Sequence, residues 1–262
     1  MKTLTALAPS RSTRFVRQVG TWYRAPLADF LTFLRRPTPD TGLVNLSNGE
    51  KIRRTLLLWT VHFPLALALA TLVSFLKERG ILPAAPPQEF DWMKSPLPAF
   101  GLLVMAAPLL EEVIFRSWLS RAHLLLAVLF LVGGEGGVYL AAREAGQAYV
   151  PLVFTLLALP VLALGLWQGR RYVRRFEAWL APGYRQVFPV VFYAVSVLAF
   201  GLVHAANYDL DAVPFWMYPV LCLPQLMAGA FLGYTRLRYG LRFALLLHAV
   251  HNFVCWVAEF VA

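Results

Sequence analysis

The sequence predicts an all-α, polytopic membrane bundle of about seven transmembrane helices with an amphipathic interfacial segment at its N-terminus. Three observations predict it. First, 59% of the 262 residues are hydrophobic and only 15% are charged, against roughly 45–50% and roughly 25% in soluble domains. The mean hydropathy is +0.60. Second, the apolar residues come in runs long enough for the roughly 20 that one bilayer crossing needs. Third, the charges between those runs alternate in sign balance along the chain.

The expected spans are 55–76, 97–119, 123–142, 148–168, 187–206, 213–234 and 241–261. The third contains Gly133, Gly134, Glu135, Gly136 and Gly137. Its Gly133/Gly137 spacing matches a helix-packing motif, and a break or re-entrant bend is the other reading. Residues 1–54 carry ten basic and three acidic residues. Arg170, Arg171, Arg174, Arg175 and Arg185 outweigh Glu177 between spans four and five. Arg236, Arg238 and Arg242 lie between spans six and seven, and Arg116 and Arg121 between spans two and three. The intervening loops are neutral over 77–94 and acidic at Asp209 and Asp211. An N-terminus in the cytoplasm therefore satisfies every loop. The net charge of +10 is then topology and contact with an anionic inner leaflet, and nucleic acid is not an expected partner.

Residues 1–54 are expected to form a basic cytoplasmic segment ahead of a transmembrane domain at 55–262. Arg11, Arg14 and Arg17 alternate with Phe15, Val16, Val19, Trp22 and Tyr23, and Phe30, Leu31, Phe33 and Leu34 follow. That pattern fits an amphipathic helix on the lipid face; a disordered basic leader is the alternative. No cleavable leader is expected, since the first long apolar run starts after residue 54. Cys222 and Cys255 both fall inside apolar runs without CxxC spacing, which predicts buried free thiols rather than a disulfide framework.

Ionisable residues inside spans are costly and mark candidate functional sites. Glu111 and Glu112 are adjacent late in the second span. Glu112 and Arg116 stand at i and i+4, where they can pair, which leaves Glu111 without a helical partner. A structural charge network near the interface would use the same residues. Phe200 and His204 end the fifth span, and a lone histidine there can be no more than a satisfied core residue. In the last span His248 and Asn252 stand at i and i+4, with His251 close to the same face. Three polar groups on a lipid-buried helix are more than packing requires.

Taken in order on three spans, the patterns EExxxR, FxxxH and HxxxN resemble those of the CaaX protease and bacteriocin-processing family, which includes the type II CaaX prenyl proteases. Pro224, Gly229, Gly233 and Tyr239-Gly240 also look like its pattern. The resemblance implies an intramembrane endopeptidase. It places Glu111, His204, His248 and Asn252 at the catalytic positions, with Glu112 and Arg116 as their supporting pair and Phe200 and His251 beside them. Residues 122–184 depart from the family spacing and read as an inserted helical hairpin plus a basic loop.

In this reading Glu111 is the general base, because a carboxylate taken out of water is a stronger proton acceptor. His204 shares the water and later protonates the leaving amine. His248 and Asn252 donate to the oxyanion. No cofactor is favoured. Zinc on Glu111, His204 and His248 is the competing account, since a carboxylate with two histidines is a known catalytic zinc set, although no HExxH is present. A non-catalytic scaffold or immunity protein on the same fold is a further alternative. A transporter is a third, weakened by the absence of an inverted repeat. The expected partner is a membrane-anchored protein or peptide, prenylated or carrying a C-terminal tail. The expected location is a bacterial cytoplasmic membrane. Helical rise of about 1.5 Å per residue puts His204 and His248 at different distances from their span starts, so their meeting near Glu111 requires tilted or offset helices.

Overall fold

The computed structural model describes residues 11–39, 45–85, 94–116, 119, 170–210 and 213–261. Every regular element among them is helical. The expected spans 123–142 and 148–168, the Gly133–Gly137 glycines and residues 122–169 of the expected insertion lie outside the described residues.

Helix α1 runs over Arg11–Arg35 and α2 over Asn48–Glu78. The start of α2 is capped by Ser47, whose hydroxyl accepts from the Glu50 N–H at 3.2 Å, as serine at this position commonly does. Helix α3 spans Pro96–Arg116. Helix α4 begins at Arg170–Val191, continues through a π segment at Phe192–Ala199 and the turn Phe200–Val203, and tightens into a 3₁₀ turn at His204–Asn207. The short α5, Phe215–Leu221, leads into α6, Leu223–Arg238, and α7 covers Leu241–Phe260. Helices α2, α3, α7 and the Ala178–Asn207 part of α4 are long and apolar enough to cross a membrane. Outward-facing Leu65, Leu67, Leu72, Phe75, Leu110 and Val190 give them the apolar exterior that a lipid-facing bundle requires.

Two expectations change in form. The span 213–234 is not one straight helix: α5 and α6 meet at a 63° bend, and together they count as a fifth crossing only if that broken pair is one span. Pro224 follows the break at Cys222; its missing N–H suits the first turn of a new helix and not the interior of an old one. Helix α1 does form, but Phe30 and Phe33 of its apolar stretch are buried in protein rather than turned outward. Phe30 lies 4.2 Å from Phe231 and Phe33 lies 5.1 Å from Phe192. Asp29 fastens the contact, accepting from the Tyr234 hydroxyl at 2.7 Å and facing Arg238 Nε at 3.4 Å.

Helix α6 is the hub, packed on α2, α4 and α7. Its contact with α4 is backbone to backbone at Gly229, while Gly233 admits the Ser196 hydroxyl and the Phe192 ring. A Cβ at Gly229 would sit 2.5 Å from the Ser196 carbonyl oxygen, and one at Gly233 would sit 2.6 Å from the Ser196 hydroxyl. Small residues four apart permit this approach between membrane helices. Gly229→Ala is therefore expected to overpack the α4–α6 seam by about 1–3 kcal/mol and lower the unfolding temperature in detergent. Gly183→Ala in α4, where a Cβ meets nothing within 4 Å, should leave it unchanged or raise it slightly. Equal behaviour of the two variants in a thermal melt would contradict the seam. Gly240, at φ 105°, makes the turn from α6 into α7. That turn lays α7 against α2 and α3 and carries its polar residues into the middle of the bundle.

Candidate active site

Helix α3 contributes two carboxylates and a guanidinium to one place. Arg116 is 0% exposed and Glu112 is 1% exposed; Arg116 Nη1 stands 3.2 Å from Glu112 Oε1 across one helical turn. The guanidinium carbon also lies 3.7 Å from the centre of the Phe200 ring, a cation–π contact that partly replaces water around a buried cation. Phe200 thus joins α4 to α3, and its ring meets Phe115 edge-on at 5.5 Å.

Two histidines converge on this group from α4 and α7. His204 Nδ1 lies 2.8 Å from the Phe200 carbonyl oxygen, which can only accept, so Nδ1 carries the hydrogen and Nε2 a lone pair. His248 Nδ1 lies 3.0 Å from Glu112 Oε1, and a carboxylate imposes the same tautomer. Both free Nε2 atoms then face one oxygen: Glu111 Oε2 is 3.8 Å from His204 Nε2 and 3.6 Å from His248 Nε2. That oxygen makes no direct hydrogen bond among the described residues. Glu111, His204 and His248, spread over 138 positions of sequence, thus meet despite their different distances from their helix starts.

Asn252 reaches the site's edge for a backbone reason. Residues Phe100–Ala106 of α3 are a π-helix, in which the Ala107 N–H bonds to the Leu102 oxygen. The Leu103 carbonyl loses that partner, and the next residue in the π register is Pro108, which has no N–H to give. Asn252 Nδ2 fills the vacancy at 2.8 Å. One of its two amide hydrogens is thereby committed and the second is left for the cavity.

That cavity measures about 120 Å³ and is lined by His204, His248, His251, Asn252 and Phe200, and also by His62 of α2 and Gln225 of α6. The sequence reading did not single out His62 or Gln225. His62 carried a usable signal, being an ionisable residue inside the first span. The second partner of Glu112, His248 Nδ1, was also missed, since only the packing of α7 on α3 creates it.

A match to a family model decides what these residues belong to: the type II CAAX prenyl endopeptidase Rce1-like family matches residues 93–254. The chain belongs to that family. Comparisons with curated proteins and with solved structures find no match. The family match supports a CAAX-type membrane protease and agrees with the apolar helices of an integral membrane protein. It takes in the elements that carry Glu111, Glu112, Arg116, His204, His248 and Asn252, and it begins after α1 and α2 have ended.

Zinc can be tested against this geometry. The donor types on Glu111, His204 and His248 suit it, with both Nε2 lone pairs free. As placed, however, no three or more His, Cys, Asp or Glu side chains among the described residues form a coordination sphere for a metal ion.

Proposed function

We propose that the protein is an endopeptidase that hydrolyses a peptide bond of a membrane-anchored protein or peptide with a water activated by Glu111. The observation that carries this is Glu111 Oε2, free of direct hydrogen bonds among the described residues and faced by two imidazole nitrogens at 3.6 and 3.8 Å. A water between Glu111 Oε2 and His204 Nε2 donates to both. Glu111 takes its proton as the water oxygen attacks the carbonyl carbon. The second Asn252 N–H donates to the oxyanion, an interaction whose loss typically costs about 10²–10³ in rate. The proton passes through a histidine Nε2 to the amine as the C–N bond breaks. Glu112 holds His248 by its Nδ1 and Arg116 by its guanidinium, so it shapes the site without touching the water. Zinc at one per chain, with turnover lost to chelation and restored by zinc, would replace this mechanism.

The protein is read as crossing the membrane seven times, N-terminus in the cytoplasm, with the outer face of α1 against anionic lipid. A bacterial cytoplasmic membrane fits this reading. The test of substrate class is a comparison of membrane-protein C-termini by mass spectrometry in cells carrying wild-type or Glu111→Gln protein. Uncleaved termini should accumulate only with the variant. Identical termini in both would favour a non-catalytic scaffold on the same fold.

A further inference from the structure

His62 lies on α2, outside the residues that the family model matches, yet it lines the same cavity as His204 and His248. It is 1% exposed, and neither of its ring nitrogens meets a hydrogen-bond partner among the described residues. Its ring is wedged between Phe231 at 5.2 Å and His251 at 4.8 Å. His251 is in a similar position: its Nδ1 has no partner among the described residues, while its Nε2 lies 3.8 Å from the Cys255 sulfur. A thiol that donates to Nε2 leaves Nδ1–H as a free donor. Gln225 Oε1, which lines the same cavity, is a third group without a partner among the described residues.

Buried polar groups in native proteins nearly always find partners, and leaving them without is costly. A cluster of three residues with open hydrogen-bonding atoms around one cavity points to a ligand that completes them. The chemistry of that ligand follows from the wall. No Lys or Arg lines the cavity among the described residues, so a carboxylate would find no cation there. A neutral imidazole offers one donor and one acceptor, the complement of a peptide unit's C=O and N–H. A substrate backbone entering a site inside the membrane needs its polar groups satisfied by protein or by cavity water, and groups beyond those around Glu111 must serve the neighbouring peptide unit.

We propose that His62 and His251, with Gln225, form a second polar subsite that holds the substrate peptide unit adjacent to the scissile bond. The inference rests on the endopeptidase reading above. The test uses full-length protein in detergent and a fluorogenic farnesylated CAAX peptide, or the cleaved segment found by the terminus comparison if that peptide is not turned over. A second peptide replaces the neighbouring backbone amide by an ester, which removes its N–H and weakens its carbonyl. His62→Phe, which keeps a ring in the gap beside Phe231, should raise KM about tenfold on the amide peptide with kcat changed less than threefold. His62→Gln, with one donor group and one acceptor, should recover most of that loss. On the ester peptide wild type and His62→Phe should converge to within twofold.

A KM for His62→Phe within twofold of wild type on the amide peptide overturns the subsite and leaves the endopeptidase reading intact. So does an equal loss on both peptides, which would mark His62 as packing alone. If wild type cleaves neither peptide and cells show no Glu111-dependent termini, the endopeptidase reading falls and the subsite falls with it.

Discussion

Glu111→Gln is expected to lower turnover by about 10²–10⁴, the range a positioned general base supplies, while leaving the unfolding temperature where it is. Glutamine is nearly isosteric, and Glu111 Oε2 has no direct hydrogen bond to lose among the described residues; what disappears is the ability to accept a proton at the point where His204 and His248 converge. The neighbouring change should behave differently. Glu112→Gln removes the charge from a side chain that faces Arg116 at 3.2 Å and His248 at 3.0 Å. It strands a guanidinium that is 0% exposed, so it should lower both stability and activity. Purified variants compared by peptide turnover and by thermal unfolding separate the two. Glu111→Gln protein that keeps more than a tenth of wild-type turnover would remove Glu111 from the role of base. A Glu112→Gln protein as stable as wild type, yet inactive, would move that role to Glu112.

The sequence shows the geometry behind these expectations only in part. The i, i+4 spacing of Glu112 and Arg116 is enough to pair them, because one helix fixes their distance. The meeting of His248 with Glu112 is not legible, since it depends on how α7 crosses α3. Helical periodicity finds both ends of α3 and α7 and the C-terminal ends of α2 and α4 within about three residues, but it starts α2 at 55 instead of Asn48 and α4 at 187 instead of Arg170, and it carries no record of the bend between α5 and α6, where Pro224 starts a new helix rather than interrupting an old one. The same limit hides Asn252's bond to Leu103: it follows from a π register that only becomes evident once the N–H of Ala107 is seen to reach Leu102. Gly229 and Gly233 are visible as small residues, but Ser196, whose carbonyl and hydroxyl they admit, is 33 positions or more away in sequence. His62 is the instructive omission. An isolated histidine in an apolar run is a candidate by its cost alone and belongs to no motif; its place is fixed only when α2 is seen to line the same cavity as His248.

Arg116→Met should be the most disruptive single change in the bundle. The guanidinium is fully buried, faces the Glu112 carboxylate, and lies 3.7 Å over Phe200. Removing it leaves Glu112 buried beside His248 without its cation, and breaking a buried pair from one side typically costs about 3–5 kcal/mol. Arg116→Lys should not rescue it, because a compact ammonium lacks the flat face that lies on Phe200. The double change Arg116→Met with Glu112→Gln removes both charges together, so no ion is stranded, and should recover much of the lost stability. It should not recover activity, since His248 then loses the carboxylate that fixes its Nδ1. Thermal unfolding of the single and double variants in detergent measures the coupling directly. A double variant as unstable as the sum of its parts would show that Arg116 is held by Phe200 and packing instead, with Glu112 serving His248 alone.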